Sequence, residues 1–266
     1  MISLCLNGFN GSPFYGGPAD LPAWVDAAAH AGFPFCAPDR WSIDAYIAGG
    51  GTVEKLARRM RDAQIGCGFI GAAAMLGSDG DLIADMRMAL RAAQTLDAHF
   101  IQINVNMPDG PARYTALENA CNVTEGSGVR IAIEYMPFMA LRSVTETAAL
   151  ALHAGYDKAG AMIDIWHHMR GPDRWADLEA VDLAAVAYVE FNDAPPMLGD
   201  DIVRETMERR VFPGEGEFDA ARFAETFKSR GYDGMVSVEV LNGEWRRRDL
   251  RDYATRAFES SAPYWL

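Results

Sequence analysis

Short apolar runs alternate with longer amphipathic stretches about eight times along this chain, and that alternation limits what it can fold into. Runs such as IAIEY, AMIDI and VSVEV are nearly continuous, as strands buried on both faces must be. Strands are predicted at 2–9, 33–38, 65–75, 100–107, 129–135, 161–166, 186–192 and 236–241. Helices are predicted at 21–31, 53–63, 82–96, 114–124, 144–154, 178–182, 200–209, 220–230 and 250–259. Gly32 ends the first helix, Ser143 caps the one at 144–154 and Asp219 caps the one at 220–230. Strand and helix in alternation predict a parallel sheet covered by helices. Eight such units in 266 residues fit one closed (β/α)8 TIM barrel over residues 1–266, which typically takes roughly 250 residues. No GxGxxG follows the first strand, so the usual dinucleotide fingerprint is missing.

The formal net charge of −13 repels polyanions, which argues against a nucleic-acid partner. Cys5, Cys36, Cys67 and Cys121 show no metal-finger spacing, and three of them fall in predicted strands, where they read as buried thiols. The opening MISLCLNGFNG has no basic or long apolar region of the signal-peptide kind, and no apolar run reaches the roughly 20 residues of a membrane span. The expectation is a cytoplasmic protein with no membrane partner.

Four predicted strands break the apolar rule near their C-terminal ends. Glu134 interrupts IAIEYMP, Asp164 interrupts AMIDIWHH, Glu190 interrupts YVEFND with Asp193 beyond it, and Glu239 interrupts VSVEVLN. A buried carboxylate must be paired or bound to a metal. In a parallel barrel the C-terminal strand ends converge on one face, where active sites lie. Carboxylates gathered there repel one another unless some are protonated or a cation intervenes. One divalent metal ion resolves the conflict, and oxygen-rich ligands favour Mn²⁺ or Mg²⁺, with Co²⁺, Zn²⁺ or Fe²⁺ admitted by an imidazole. Each acid alone could equally pair with an arginine; Glu190 in particular could point away from the site.

His167 follows Asp164 at the spacing Asp-x-x-His, just past the strand, where it can polarise a substrate oxygen or bind metal. His168 reads as a loop residue, and His30, His99 and His153 as structural. Arg210 opens the segment RVFPGEGEFD and can hold a carboxylate, a phosphate or an acidic metal ligand through its planar fork. Trp41 and Trp166 are the aromatic candidates for a substrate wall.

Through IAIEYMPF, DIWHH, VEFNDAP, RVFPGEGEFD and VSVEVLN the chain resembles the xylose isomerase-like TIM-barrel superfamily, in its sugar phosphate isomerase/epimerase branch. The resemblance implies Glu134, Asp164 and Glu239 as metal ligands, with the two glutamates also moving protons, and His167 and Arg210 as substrate contacts. It also implies outer helices that support homo-oligomers. One position departs from the pattern: the family often has His-x-x-Asp on strand seven, where this chain has Glu190 ahead of Asp193. An all-carboxylate shell is more anionic and less suited to zinc; the alternative is a lost or weakened metal site.

The chemistry expected from these residues is isomerisation or epimerisation of a sugar or keto-polyol, a small-molecule substrate. Proton transfer beside the carbonyl would pass through an enediolate, with Glu134, Glu239 and His167 as the catalytic groups. A dehydratase or lyase acting on a sugar-like or aromatic-bearing substrate would use the same groups. A ligand-binding barrel without catalysis is a further alternative. An abasic-site endonuclease is disfavoured by five histidines in all and by the acidity of the chain.

Overall fold

A computed structural model of the chain describes residues 1–17, 20–77 and 82–266. Among the described residues nine parallel strands make one sheet: β1 (Ser3–Asn7), β2 (Phe35–Ala37), β3 (Gly66–Cys67), β4 (Phe69–Leu76), β5 (Phe100–Val105), β6 (Arg130–Glu134), β7 (Ala159–Asp164), β8 (Val186–Phe191) and β9 (Met235–Val238). Their spatial order is β3-β2-β1-β9-β8-β7-β6-β5-β4. The first strand lies between β2 and β9, so the two ends of the sequence meet inside the sheet. The sheet's two outer strands, β3 and β4, are halves of one predicted strand, interrupted at Gly68. A Cβ on Gly68 would fall 2.6 Å from Met235 Sδ and 2.9 Å from Cys5 Sγ, so a side chain there would crowd the inward-facing side chains of β1 and β9. The result is a nearly closed eight-course barrel, as the alternation predicts.

The pleat decides what faces inward. Cys5, Phe69, Ala132, Met162, Tyr188 and Met235 form a separate apolar cluster, with Phe69 stacked on Tyr188 at 4.6 Å between ring centroids. Strand side chains alternate with a period of two. Two residues beyond members of that cluster therefore come Asn7, Glu134, Asp164 and Glu190, and beyond Met235 come Ser237 and Glu239. The opposite parity, including Ile131, Ile133, Ile163, Val189 and Val236, is fully buried in the larger core with the helices. Burial of each such side chain favours the fold by roughly 1.5–3 kcal/mol. The apolar cluster thus closes the lower barrel, and the next inward layer is polar.

Helix boundaries follow local chemistry. Leu21–Ala31 ends at Gly32, whose φ of 95° suits glycine. Ser143 and Asp219 cap their helices as expected, accepting from the N–H groups of Glu146 and Arg222. Several boundaries depart from expectation: the last helix runs to Trp265, the helix expected at 114–124 starts at Pro111 and the strand expected at 236–241 ends at Val238. Two further departures have a local cause. The strand predicted at 161–166 stops at Asp164, because its carboxylate accepts the Trp166 N–H at 2.8 Å and starts the helix Ile165–Arg170. The short helix predicted at 178–182 forms earlier, at Trp175–Glu179, where Asp177 supplies an acid in the first turn. No helix among the described residues is long and apolar enough to cross a membrane, and all four cysteines are free and buried.

Candidate metal and active site

Asp164, Glu190 and Glu239 come together at the C-terminal end of the barrel, each offering a carboxylate oxygen within 4.8 Å of the others. All three are buried. Glu190 therefore faces the site and not the helices. Its Oε1 accepts from Asn7 Nδ2 at 3.0 Å and from Ser237 Oγ at 3.1 Å, while its buried Oε2 has no partner. The same Asn7 amide donates to Glu239 Oε1 at 2.9 Å.

Arg210 crosses the cluster. Its Nη1 lies 2.8 Å from Asp164 Oδ2 and 3.0 Å from Glu239 Oε2. Its other nitrogens donate to Thr206, Nε to the carbonyl and hydroxyl and Nη2 to the hydroxyl. Here its guanidinium is spent on acidic site residues, one of the three roles its fork allows. Trp166 lies behind it, with the guanidinium carbon 5.5 Å from the ring centroid. Trp166 is fully buried and outside the cavity lining, so its expected place in a substrate wall is corrected: as part of a helix it packs beneath the arginine.

Glu134 stands outside the tight trio. Its Oε2 accepts from the amides of Gln102 and Asn104, and its Oε1 lies 3.0 Å from His167 Nε2. His167 Nε2 is also 3.5 Å from Asp164 Oδ2, so this ring links the fourth carboxylate to the trio. His168 points elsewhere, buried against Trp175, and burial lowers its pKa to about 4.

The electrostatics show which acids tolerate the crowd. Burial would raise Asp164, but Arg210, His167, the Asn192 amide and the Trp166 N–H outweigh it and hold this acid below its ordinary range. Burial, reinforced by Glu239, Asp164 and Glu134, pushes Glu190 well above it. Glu239 is raised to about 8, chiefly by burial, with Arg210 opposing and Glu134 and Asp164 adding to the rise. The acids around Arg210 keep it charged despite its burial. Four carboxylates share one arginine, so protons or a cation must make up the deficit.

A cavity of about 230 Å³ opens onto this floor. Glu134, His167, Arg210 and Glu239 line it, as does Trp41. Asn7, Gln102, Asn104, Thr206 and Ser237 belong to the same network and were not singled out by sequence. Asn7, Gln102 and Asn104 carried one signal: each is a polar residue in an otherwise apolar strand. Asp193 lies beside the site without entering it. Its carboxylate accepts from the N–H groups of Ala194, Gly214, Gly216 and Phe218, which fixes the loop following Arg210.

Fold and site together define a parallel α/β barrel with a buried carboxylate cluster at the C-terminal end of its strands. Residues 25–260 match the family model described as xylose isomerase-like TIM barrel, and the chain belongs to that family. It is 24% identical over 131 residues to an inosose isomerase of Halalkalibacterium halodurans, covering 48% of this chain and 45% of that protein. It is 30% identical over 137 residues to a 3-dehydroshikimate dehydratase of Pseudomonas aeruginosa, covering 50% of this chain and 21% of that protein. The chain thus aligns with less than half the length of either relative. The crystal structure of IolI with a bound zinc atom superposes with a TM-score of 0.86 over 99% of both chains at 16% identity, a likeness of fold.

Proposed function

We propose that the protein is a divalent-metal-dependent isomerase or epimerase acting on a sugar-like compound with a carbonyl beside a hydroxyl-bearing carbon. The observation that carries this reading is the trio Asp164, Glu190 and Glu239, three buried carboxylates within 4.8 Å with one oxygen, Glu190 Oε2, left without a partner. That donor set suits a hard cation such as Mn²⁺ or Mg²⁺. When bound, the cation supplies positive charge beside the substrate oxygens, where negative charge develops as a proton leaves the neighbouring carbon.

The remaining work falls to the chain's own residues. Glu134 and Glu239 both border the cavity, so one can take the proton and the other return it. Return to the opposite face of the same carbon gives an epimer; return to the neighbouring carbon gives an aldose–ketose isomer. The Gln102 and Asn104 amides hold Glu134 in one orientation, and Arg210 holds Glu239. His167, against Glu134, would orient a substrate oxygen.

Two measurements test this. Purified protein should contain about one equivalent of divalent metal after incubation with Mn²⁺, and Asp164→Ala should lose it; no binding by the wild type removes the metal-dependent reading. Glu239→Gln should abolish exchange of the substrate α-proton with D2O, and full exchange in that variant rules Glu239 out as a proton carrier. The partial match to a 3-dehydroshikimate dehydratase supports a second reading, in which the same proton abstraction is followed by loss of water. Product mass separates the two, since isomerisation conserves it.

A further inference from the structure

The cavity above the carboxylates combines polar residues of the site with a large apolar surface. Asn7, Glu134, His167, Arg210 and Glu239 form its floor, while Phe9, Phe14, Trp41, Phe138, Met139 and Met207 are among its walls. Phe9, Phe14 and Trp41 pack as a triangle, with ring centroids 5.4, 5.9 and 5.3 Å apart. Two of these rings remain substantially open to solvent, Phe14 at 50% and Trp41 at 40%.

Much of the hydrogen-bonding capacity of the other polar side chains in the lining is already spent. Asp39 takes hydrogen bonds from Ser12 and Ser42 through both carboxylate oxygens. Thr206 Oγ1 is held by Arg210, and the amide nitrogens of Gln102 and Asn104 are spent on Glu134. A sugar with a hydroxyl on every carbon would press its far hydroxyls against rings and thioethers that cannot replace the hydrogen bonds lost to water. An apolar group would instead cover exposed aromatic surface.

We propose that the substrate is an α-hydroxycarbonyl compound whose remainder is apolar, an aryl or cyclic hydrocarbon group and not a polyhydroxylated chain. The oxygen pair sits on the carboxylate floor, and the apolar group lies against Phe9, Phe14, Trp41 and Phe138. This rests on the proton-transfer reading above for the chemistry at the oxygen pair and narrows its substrate to one that shares only that oxygen pair with a sugar; the wall assignment can be tested apart from it.

The first readout is binding, by titration calorimetry on the full chain without added metal. The probes are 2-hydroxyacetophenone, which joins a ketol to a phenyl ring, and D-fructose, whose open-chain form joins one to a polyol and whose affinity is referred to that open-chain fraction. The phenyl ketol should bind about tenfold more tightly or better, a preference of the size hydrophobic pockets give. Trp41→Gln and Phe14→Gln, both at partly exposed positions, should shrink that margin severalfold. Equal or tighter binding of fructose overturns the proposal, as does a margin that both variants leave intact. The second readout is α-proton exchange in D2O with Mn²⁺ present. Preferential binding of the phenyl ketol with no exchange on either probe sinks the proposed reaction and upholds the wall. Exchange on fructose with kcat/KM at least equal to that of the phenyl ketol upholds the reaction and overturns the wall.

Discussion

Arg210 is the residue on which the charge balance of the site turns. It is buried between Asp164 and Glu239 and anchored from behind by Thr206. Removing one partner of a buried ion pair typically costs about 3–5 kcal/mol, because the other is left uncompensated. Arg210→Met should therefore destabilise the metal-free protein by about that amount in urea titration, with part of the loss recovered on adding Mn²⁺. An unchanged midpoint would mean that the acids are already neutral without the arginine. The four acids were legible in the sequence because each violates an apolar strand, and Glu190 was legible even against the family's histidine. Their division into a trio plus a histidine-linked Glu134 was not, since it depends on Asn7 and Ser237 from strands remote in sequence. Neither residue looks charged enough to draw notice, yet both donate to Glu190 Oε1.

At the scale of elements, the site depends on where strands stop. Asp164 ends β7 by capping the next helix, and that places His167 one turn later beside Glu134. The apolar run through Trp166 hid this change, because a short apolar segment reads alike as strand end or buried helix. The Arg210 segment is held in a different way, through Asp193. Four backbone N–H groups converge on that carboxylate, and a Cβ at Gly216 would lie 2.3 Å from both Asp193 Oδ1 and the Ala194 carbonyl oxygen. Asp193→Ala would strand several N–H groups at roughly 1–3 kcal/mol each before relaxation. The loop should loosen and Arg210 lose its aim. The expected result is a thermal midpoint lowered by several degrees together with at least tenfold weaker Mn²⁺ binding in a calorimetric titration. Weakened stability with unaltered metal affinity would show that the loop does not position the arginine.

For the whole molecule, the buried cluster links stability to pH and to metal. Glu239 is raised from the ordinary carboxylate range to about 8, and Glu190 is raised as well. The folded protein therefore holds protons that the unfolded chain has already released above about pH 4.5. Stability from this source is fully present at acid pH and is lost as pH rises through about 8, at about 1.4 kcal/mol per unit of pKa shift. His168 acts in the opposite sense, because the unfolded chain takes up its proton between about 6.5 and 4. The comparison thus belongs above pH 6.5, where the carboxylates contribute and, toward pH 8.5, the four cysteines add a smaller loss in the same direction because burial raises them too. In EDTA the thermal midpoint should fall from pH 6.5 to pH 8.5, and Glu190→Gln, which cannot ionise, should flatten that fall. A divalent cation replaces the missing protons, so saturating Mn²⁺ should raise the midpoint more at pH 8.5 than at pH 6.5. A midpoint in EDTA that does not move with pH, joined to a metal effect equal at both values, would mean that the carboxylates are neutralised by Arg210 alone.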